Sequence, residues 1–107
     1  MLGYRIVFRI VQKKEAVARD FMSAKELGLP PSREHPELWD GVSVWNTLRQ
    51  AQNKAKDYPF LGSYVVKLSL DLTRVRIEKT LPRSPGHHTA WADAVTLFSF
   101  VIDTEAV

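Results

Sequence analysis

The chain has 107 residues, 45% of them hydrophobic and 25% charged, with 15 lysines and arginines against 12 acidic residues for a formal net charge of +3. These are the values of one globular domain spanning 1–107, and they exclude a wholly disordered or fibrous chain. Cysteine is absent, which removes a disulfide framework, a thiolate zinc site and a cysteine nucleophile together. With only three histidines, no metal centre is expected.

The first residues read Met1-Leu2-Gly3-Tyr4-Arg5-Ile6-Val7-Phe8-Arg9. Arg5 and Arg9 interrupt any signal-type apolar core. No apolar run reaches the ~18 residues that span a bilayer. The expectation is a cytoplasmic protein with no membrane partner. The small positive charge leans toward anionic ligands.

Tyr4 to Val11 alternates with period two and predicts a strand, with Tyr4, Ile6, Phe8 and Ile10 as its core face and Arg5 and Arg9 opposite. Val17, Phe21 and Ala24 or Leu27 recur at helical spacing, so Lys13 to Gly28 reads as a helix, with a break near Asp20 to Ser23. Pro30 to Pro36 reads as loop, and Pro36 to Asp40 as a single helical turn. Gly41 to Trp45 is a short strand. Thr47 and Gln50 have capping-box spacing at the head of a helix running to about Tyr58.

Ser63 to Leu70 and Arg74 to Thr80 alternate as strands. Leu81 to His88, with Pro82, Pro85 and Gly86, reads as loop. Thr96 to Ile102 is the last strand, and the residues after Asp103 are expected to fray. The order predicts an α+β fold, a small mixed and mostly antiparallel sheet of about five strands with two main helices. Its expected core is Ile6, Phe8, Val17, Phe21, Val44, Leu48, Val66, Leu68, Ile77, Phe98 and Phe100.

Four groups of residues have chemistry to offer. Arg5 and Arg9 on a strand would be rigid donors for phosphate or carboxylate, or simply solvent-facing charges. Ser43, Asn46 and Thr47 lie where a strand runs into a helix N-terminus, a place that attracts anions or merely caps the helix. His87, His88 and Trp91 fall in one segment, with imidazoles for proton transfer and an indole for stacking, or for plugging the core edge. Lys67, Arg74, Arg76, Lys79 and Arg83 would form a basic sheet face if they merged with Arg5 and Arg9.

The pieces Tyr4-Arg5 with Arg9, Gly41-Val42-Ser43-Val44-Trp45 followed by Ala51 and Ala55, and Gly62 to Leu70 occur in an order that resembles small ADP-ribosyltransferase-like domains, including RES-type toxins. The likeness covers residues 4 to 78. It implies NAD as the ligand, with Arg9, Ser43 and His88 lining the pocket. Those transferases place a glutamate on a late strand, whereas Thr96 to Ile102 has no acid; Glu105 lies beyond it and Glu78 before it. The resemblance therefore leaves the activity either lost or rebuilt around His87 and His88.

Two functional expectations follow. One is a domain that binds NAD or another phosphate-containing nucleotide. The other is a non-enzymatic, bacterial-type accessory or antitoxin-like module that meets nucleic acid or a protein partner through a basic sheet face. An open edge strand would also permit a homodimer.

Overall fold

The computed structural model describes residues 3–107; Met1 and Leu2, part of the stretch read against a signal peptide, lie outside them. The alternating segments become strands, and every strand pairing is antiparallel. The strands are β1 (Tyr4–Val11), β2 (Val42–Trp45), β3 (Tyr64–Asp71), β4 (Arg76–Lys79), β5 (His87–Trp91) and β6 (Val101–Ala106). They form one six-stranded sheet in the order β4-β5-β2-β1-β3-β6. The helices are α1 (Leu48–Asp57) and α2 (Ala94–Phe98). The fold is α+β, with one strand more than the sequence indicated. Among the described residues, no helix is long and apolar enough to cross a membrane.

Both sides of the sheet are covered, which is why β1 reads ambiguously. On one side Val7, Val11, Val44, Val66, Leu68 and Leu70 pack with Phe21, Ala94 and Leu97. On the other, Ile10, Trp45 and Val65 pack with Ala51 and Ala55 of α1. The larger core thus lies on the face that carries Arg5 and Arg9, contrary to the expectation from β1. Tyr4 and Ile6 are 52% and 40% exposed, and Val17 and Phe98, also expected inside, are exposed as well.

The predicted helix over Lys13–Gly28 does not form. Only Ala18–Phe21 makes a 3-10 turn. Side chains compete for its backbone: the Val17 N–H donates to Asp20 Oδ2, and Ser23 and Glu26 exchange reciprocal bonds. Phe21 is nevertheless fully buried beneath this segment. The expected helical turn after Pro36 is present as a 3-10 turn, Pro36–Leu38.

The C-terminal third also differs. Asp93 caps α2 by accepting from the Thr96 N–H at 2.9 Å, so Thr96 opens no strand. The last strand is β6, paired with β3 as far as Ala106↔Tyr64, and the tail after Asp103 is therefore strand. His87 to Trp91, read partly as loop, is a strand between β4 and β2. By contrast, α1 begins as the sequence indicates: Thr47 Oγ1 accepts from the Gln50 N–H, and Gln50 Oε1 accepts from the Thr47 N–H, each at 3.1 Å.

Candidate functional site

The sheet is not uniformly zipped. β1 pairs with β3 from Tyr4↔Asp71 to Val11↔Tyr64, but with β2 only at Phe8↔Trp45. In an unbroken antiparallel ladder Ile10 would next face Ser43. Instead the strands part, and the Ser43 carbonyl needs another donor. Arg9 supplies it: Nη1 donates to Ser43 O at 2.7 Å, and Nε donates to Asp20 O at 2.9 Å. The guanidinium therefore ties β1 to β2 and to the 3-10 turn.

A pocket of about 290 Å³ occupies this parting. Its walls come from both sides of the sheet, with Arg9 and Val42 from one face and Ile10, Ser43 and Trp45 from the other. Arginine carries five N–H donors, and among the described residues only Nε and Nη1 have partners. No buried side-chain nitrogen or oxygen among the described residues lacks a partner. Arg9 Nη2, which has no partner among the described residues, is therefore not wholly shut off from solvent. Burial pulls the Arg9 pKa down from its ordinary value to about 10, and the neighbouring Asp20 charge works the other way. The group stays cationic at neutral pH.

On the far side of Ser43 lies a chain of polar contacts. His87 Nε2 is 2.8 Å from Ser43 Oγ, and His87 Nδ1 is 2.9 Å from Thr80 Oγ1 and 3.2 Å from Thr80 O. Thr80 Oγ1 lies 2.7 Å from Thr89 Oγ1. A carbonyl oxygen only accepts, so the ring proton belongs on Nδ1, facing Thr80 O; the other tautomer would set two lone pairs against each other. Nε2 is then an acceptor, and Ser43 Oγ–H donates to it. Burial is the main cause holding His87 below its ordinary pKa of 6.5, the bond to the Thr80 backbone opposes it, and the charges of His88 and Lys54 add to the lowering. Trp45 stands edge-on to the imidazole at 5.3 Å.

The other expected residues fall elsewhere. His88 points to the opposite face from His87. Its Nδ1–H donates to Gly86 O at 2.9 Å, and its Nε2 accepts from Arg5 Nη2 at 3.0 Å. Arg5 also reaches Asn46 Oδ1 at 3.3 Å. This Arg5–Asn46–His88 cluster sits four residues along β1 from Arg9, about 13 Å away at strand rise. His88 is not part of the pocket wall, contrary to the expectation that grouped it with Arg9 and Ser43.

Thr47 is committed to its cap. Trp91 lies apart from this pocket: Nε1 donates to Asp40 Oδ1 at 3.0 Å and the Arg76 guanidinium lies 3.9 Å from its ring centre.

The basic residues do not merge into one face either. Lys67 lies opposite Phe8, on the other side of the sheet from Arg5 and Arg9. Arg74 stacks on Phe100. As for the missing acid, the true last strand does carry Asp103 and Glu105, but β6 is separated from β1 by β3. No carboxylate lines the pocket among the described residues. No group of three or more histidine and carboxylate side chains there is placed to hold a metal.

Sequence reasoning missed Thr80, and it named Thr89 and Gly41 only as members of candidate segments without a role of their own. The threonines would have stood out only if β5 had been recognised as a strand beginning at His87. Gly41 precedes β2, where a Cβ would overlap the Thr89 methyl and come within 2.8 Å of Trp91 Nε1. No protein-family model matches the chain, and neither does any curated protein or solved structure.

Proposed function

We propose that the protein binds a phosphate-containing nucleotide at the parting of β1 and β2, with a phosphate oxygen accepting from Arg9. The observation that carries this reading is the Arg9 guanidinium itself, fixed by two backbone carbonyls, lining the pocket, and with Nη2 lacking a partner among the described residues. A planar cation held in place and partly desolvated is a strong phosphate donor. The resemblance to ADP-ribosyltransferase-like domains favours NAD within this class.

The proposal concerns binding. The glutamate that orients the ribose in those transferases has no counterpart in the pocket wall. The nucleic-acid alternative has no comparable support, because Lys67 and the two β1 arginines lie on opposite faces.

Titration of labelled protein with NAD, ADP-ribose and inorganic phosphate, followed by amide NMR and calorimetry, tests the reading. The expected result is shifts at Gly41 to Ser43 and at Arg9, lost in Arg9→Ala and weakened in Arg9→Lys. Absence of shifts, or shifts that persist in a folded Arg9→Ala variant, overturns it.

A further inference from the structure

Ser43 contributes more than a wall to this pocket. Its hydroxyl donates to a neutral imidazole at 2.8 Å, and that imidazole is oriented through its other nitrogen by Thr80. A nucleophile, a base within hydrogen-bond reach and a third group that fixes the base form the arrangement by which hydroxyls are activated. Here a backbone carbonyl and a threonine hydroxyl take the place of a carboxylate. The orienting group is therefore neutral, and so is the imidazole it holds.

The parting of the strands leaves Ser43 at the border of an opening. In a closed ladder its carbonyl would bond to β1. Here the residue is only partly buried and borders the same opening as Arg9, whose Nη1 is bonded to the Ser43 carbonyl. The guanidinium and Oγ project from opposite faces of the sheet, and the opening between β1 and β2 is bordered by both residues.

We propose that Ser43 is a nucleophile, with His87 as its base, toward a phosphoryl group held by Arg9. Ser43 Oγ forms a bond to phosphorus. The bond from phosphorus to the leaving oxygen breaks, and that oxygen departs with the bonding pair. The Oγ proton passes to His87 Nε2, from which it can be delivered to the leaving oxygen. Water then releases the phosphoryl group from Ser43. Arg9 neutralises the charge that gathers on the phosphoryl oxygens. The ligand class rests on the nucleotide reading, whereas the Ser43–His87 pair rests on its own geometry.

The groups that face His87 set its pH response. They are Lys54 from α1, Thr80 after β4, and Ser43 and Trp45 from β2, while His88, next to it on β5, points to the other face. None is a carboxylate, so no acidic neighbour holds the proton on the ring.

A biotinylated alkyl fluorophosphonate tests the proposal on the native chain without a known substrate. Oγ attacks phosphorus, fluoride leaves with the P–F pair, and the proton goes to Nε2. Mass spectrometry should place the adduct on Ser43. The labelling rate should rise with pH up to the ordinary histidine range and level off above it. His87→Gln should slow labelling by about 100-fold or more. Because that variant removes a buried ring, its fold is checked by its amide NMR spectrum, and the pH profile of the native protein stands as a test that needs no substitution.

No adduct on Ser43, an unchanged rate in folded His87→Gln, or a rate that climbs tenfold per pH unit through pH 7–9 overturns the nucleophile. Calorimetry with ADP separates the two readings. Binding without labelling retains the nucleotide site and overturns the nucleophile. Labelling without ADP binding retains the nucleophile and overturns the nucleotide site.

Discussion

Arg9 donates to the carbonyl oxygen of Ser43 at 2.7 Å, across a place where the ladder between β1 and β2 has no backbone bond to offer. The same side chain satisfies Asp20 O in the covering 3-10 segment. One guanidinium thus bridges two strands and a turn while keeping donors for a ligand. This double role means that its loss should be felt in stability as well as in binding.

Arg9→Ala leaves two carbonyls without their donor, and an unsatisfied buried acceptor costs about 1–3 kcal/mol. Urea denaturation should show a loss of that order with an unchanged slope. Arg9→Lys should recover part of it, since an ammonium can reach one carbonyl but lacks the fork that serves both. A loss in Arg9→Ala below about 0.5 kcal/mol, the range of an ordinary surface substitution, would show that water replaces the guanidinium and that the bridge does not stabilise the fold.

The two phenylalanines that meet beneath the sheet should behave differently. Phe21 and Phe98 have ring centres 5.9 Å apart, yet Phe21 is 0% exposed and Phe98 is 37% exposed. Phe21→Ala should cost about 3–5 kcal/mol, the usual loss for a fully buried ring. Phe98→Ala should cost well under half of that, because its ring already meets water. Equal losses in denaturant melts would mean that the segment from Ala18 to Phe21 is not an integral part of the core.

Which parts of the fold could be read from sequence follows from where their stabilising contacts come from. α1 was legible because Thr47 and Gln50 cap it within one turn. β1 and β3 were legible because alternation is local. β5 was hidden because His87, His88 and Thr89 are polar yet almost fully buried. Their partners Ser43, Arg5 and Thr80 come from other elements, 44 and 83 residues away in the first two cases. The Lys13–Gly28 segment misled for the opposite reason: helical spacing of Val17 and Phe21 was present, but Asp20, Ser23 and Glu26 captured the backbone first. The core face of β1 is not legible locally, because Arg9 looks like a surface residue until its two carbonyl partners are known. Ser43 and Arg9 were therefore visible as candidates, while their relation to His87 and Thr80 was not.

Gly41 should tolerate no side chain. A Cβ there would come within 2.8 Å of Trp91 Nε1 and overlap Thr89. The indole cannot move aside freely, since it is bonded to Asp40 and covered by Arg76. Overpacking of this kind typically costs about 1–3 kcal/mol. Gly41→Ala should lower the melting temperature and move the Trp91 indole N–H signal in the NMR spectrum. A variant with native stability and an unmoved indole signal would show that β2 and β5 are looser at this end than their register implies.

His87 should make the protein lose stability in mildly acidic solution. Its folded pKa lies below the ordinary 6.5, chiefly through burial. Above that value the ring is neutral in both folded and unfolded chains and contributes no pH dependence. As pH falls below it, the unfolded chain takes up the proton first, so stability drops until the folded ring is protonated as well. Asp71 and Asp93 titrate in a separate window. Both are held below 3.8 by hydrogen bonds from Thr73 and Thr96, so what they add to stability is present above that value and is lost as pH falls through their folded pKa values. Denaturant melts between pH 8 and pH 5 should therefore be flat at first and then fall, and His87→Gln should remove the part of the fall that is due to this ring. An identical pH profile in the folded His87→Gln variant would mean that the imidazole is solvated and free to ionise, and that the neutral ring drawn between Ser43 and Thr80 is not its state in solution.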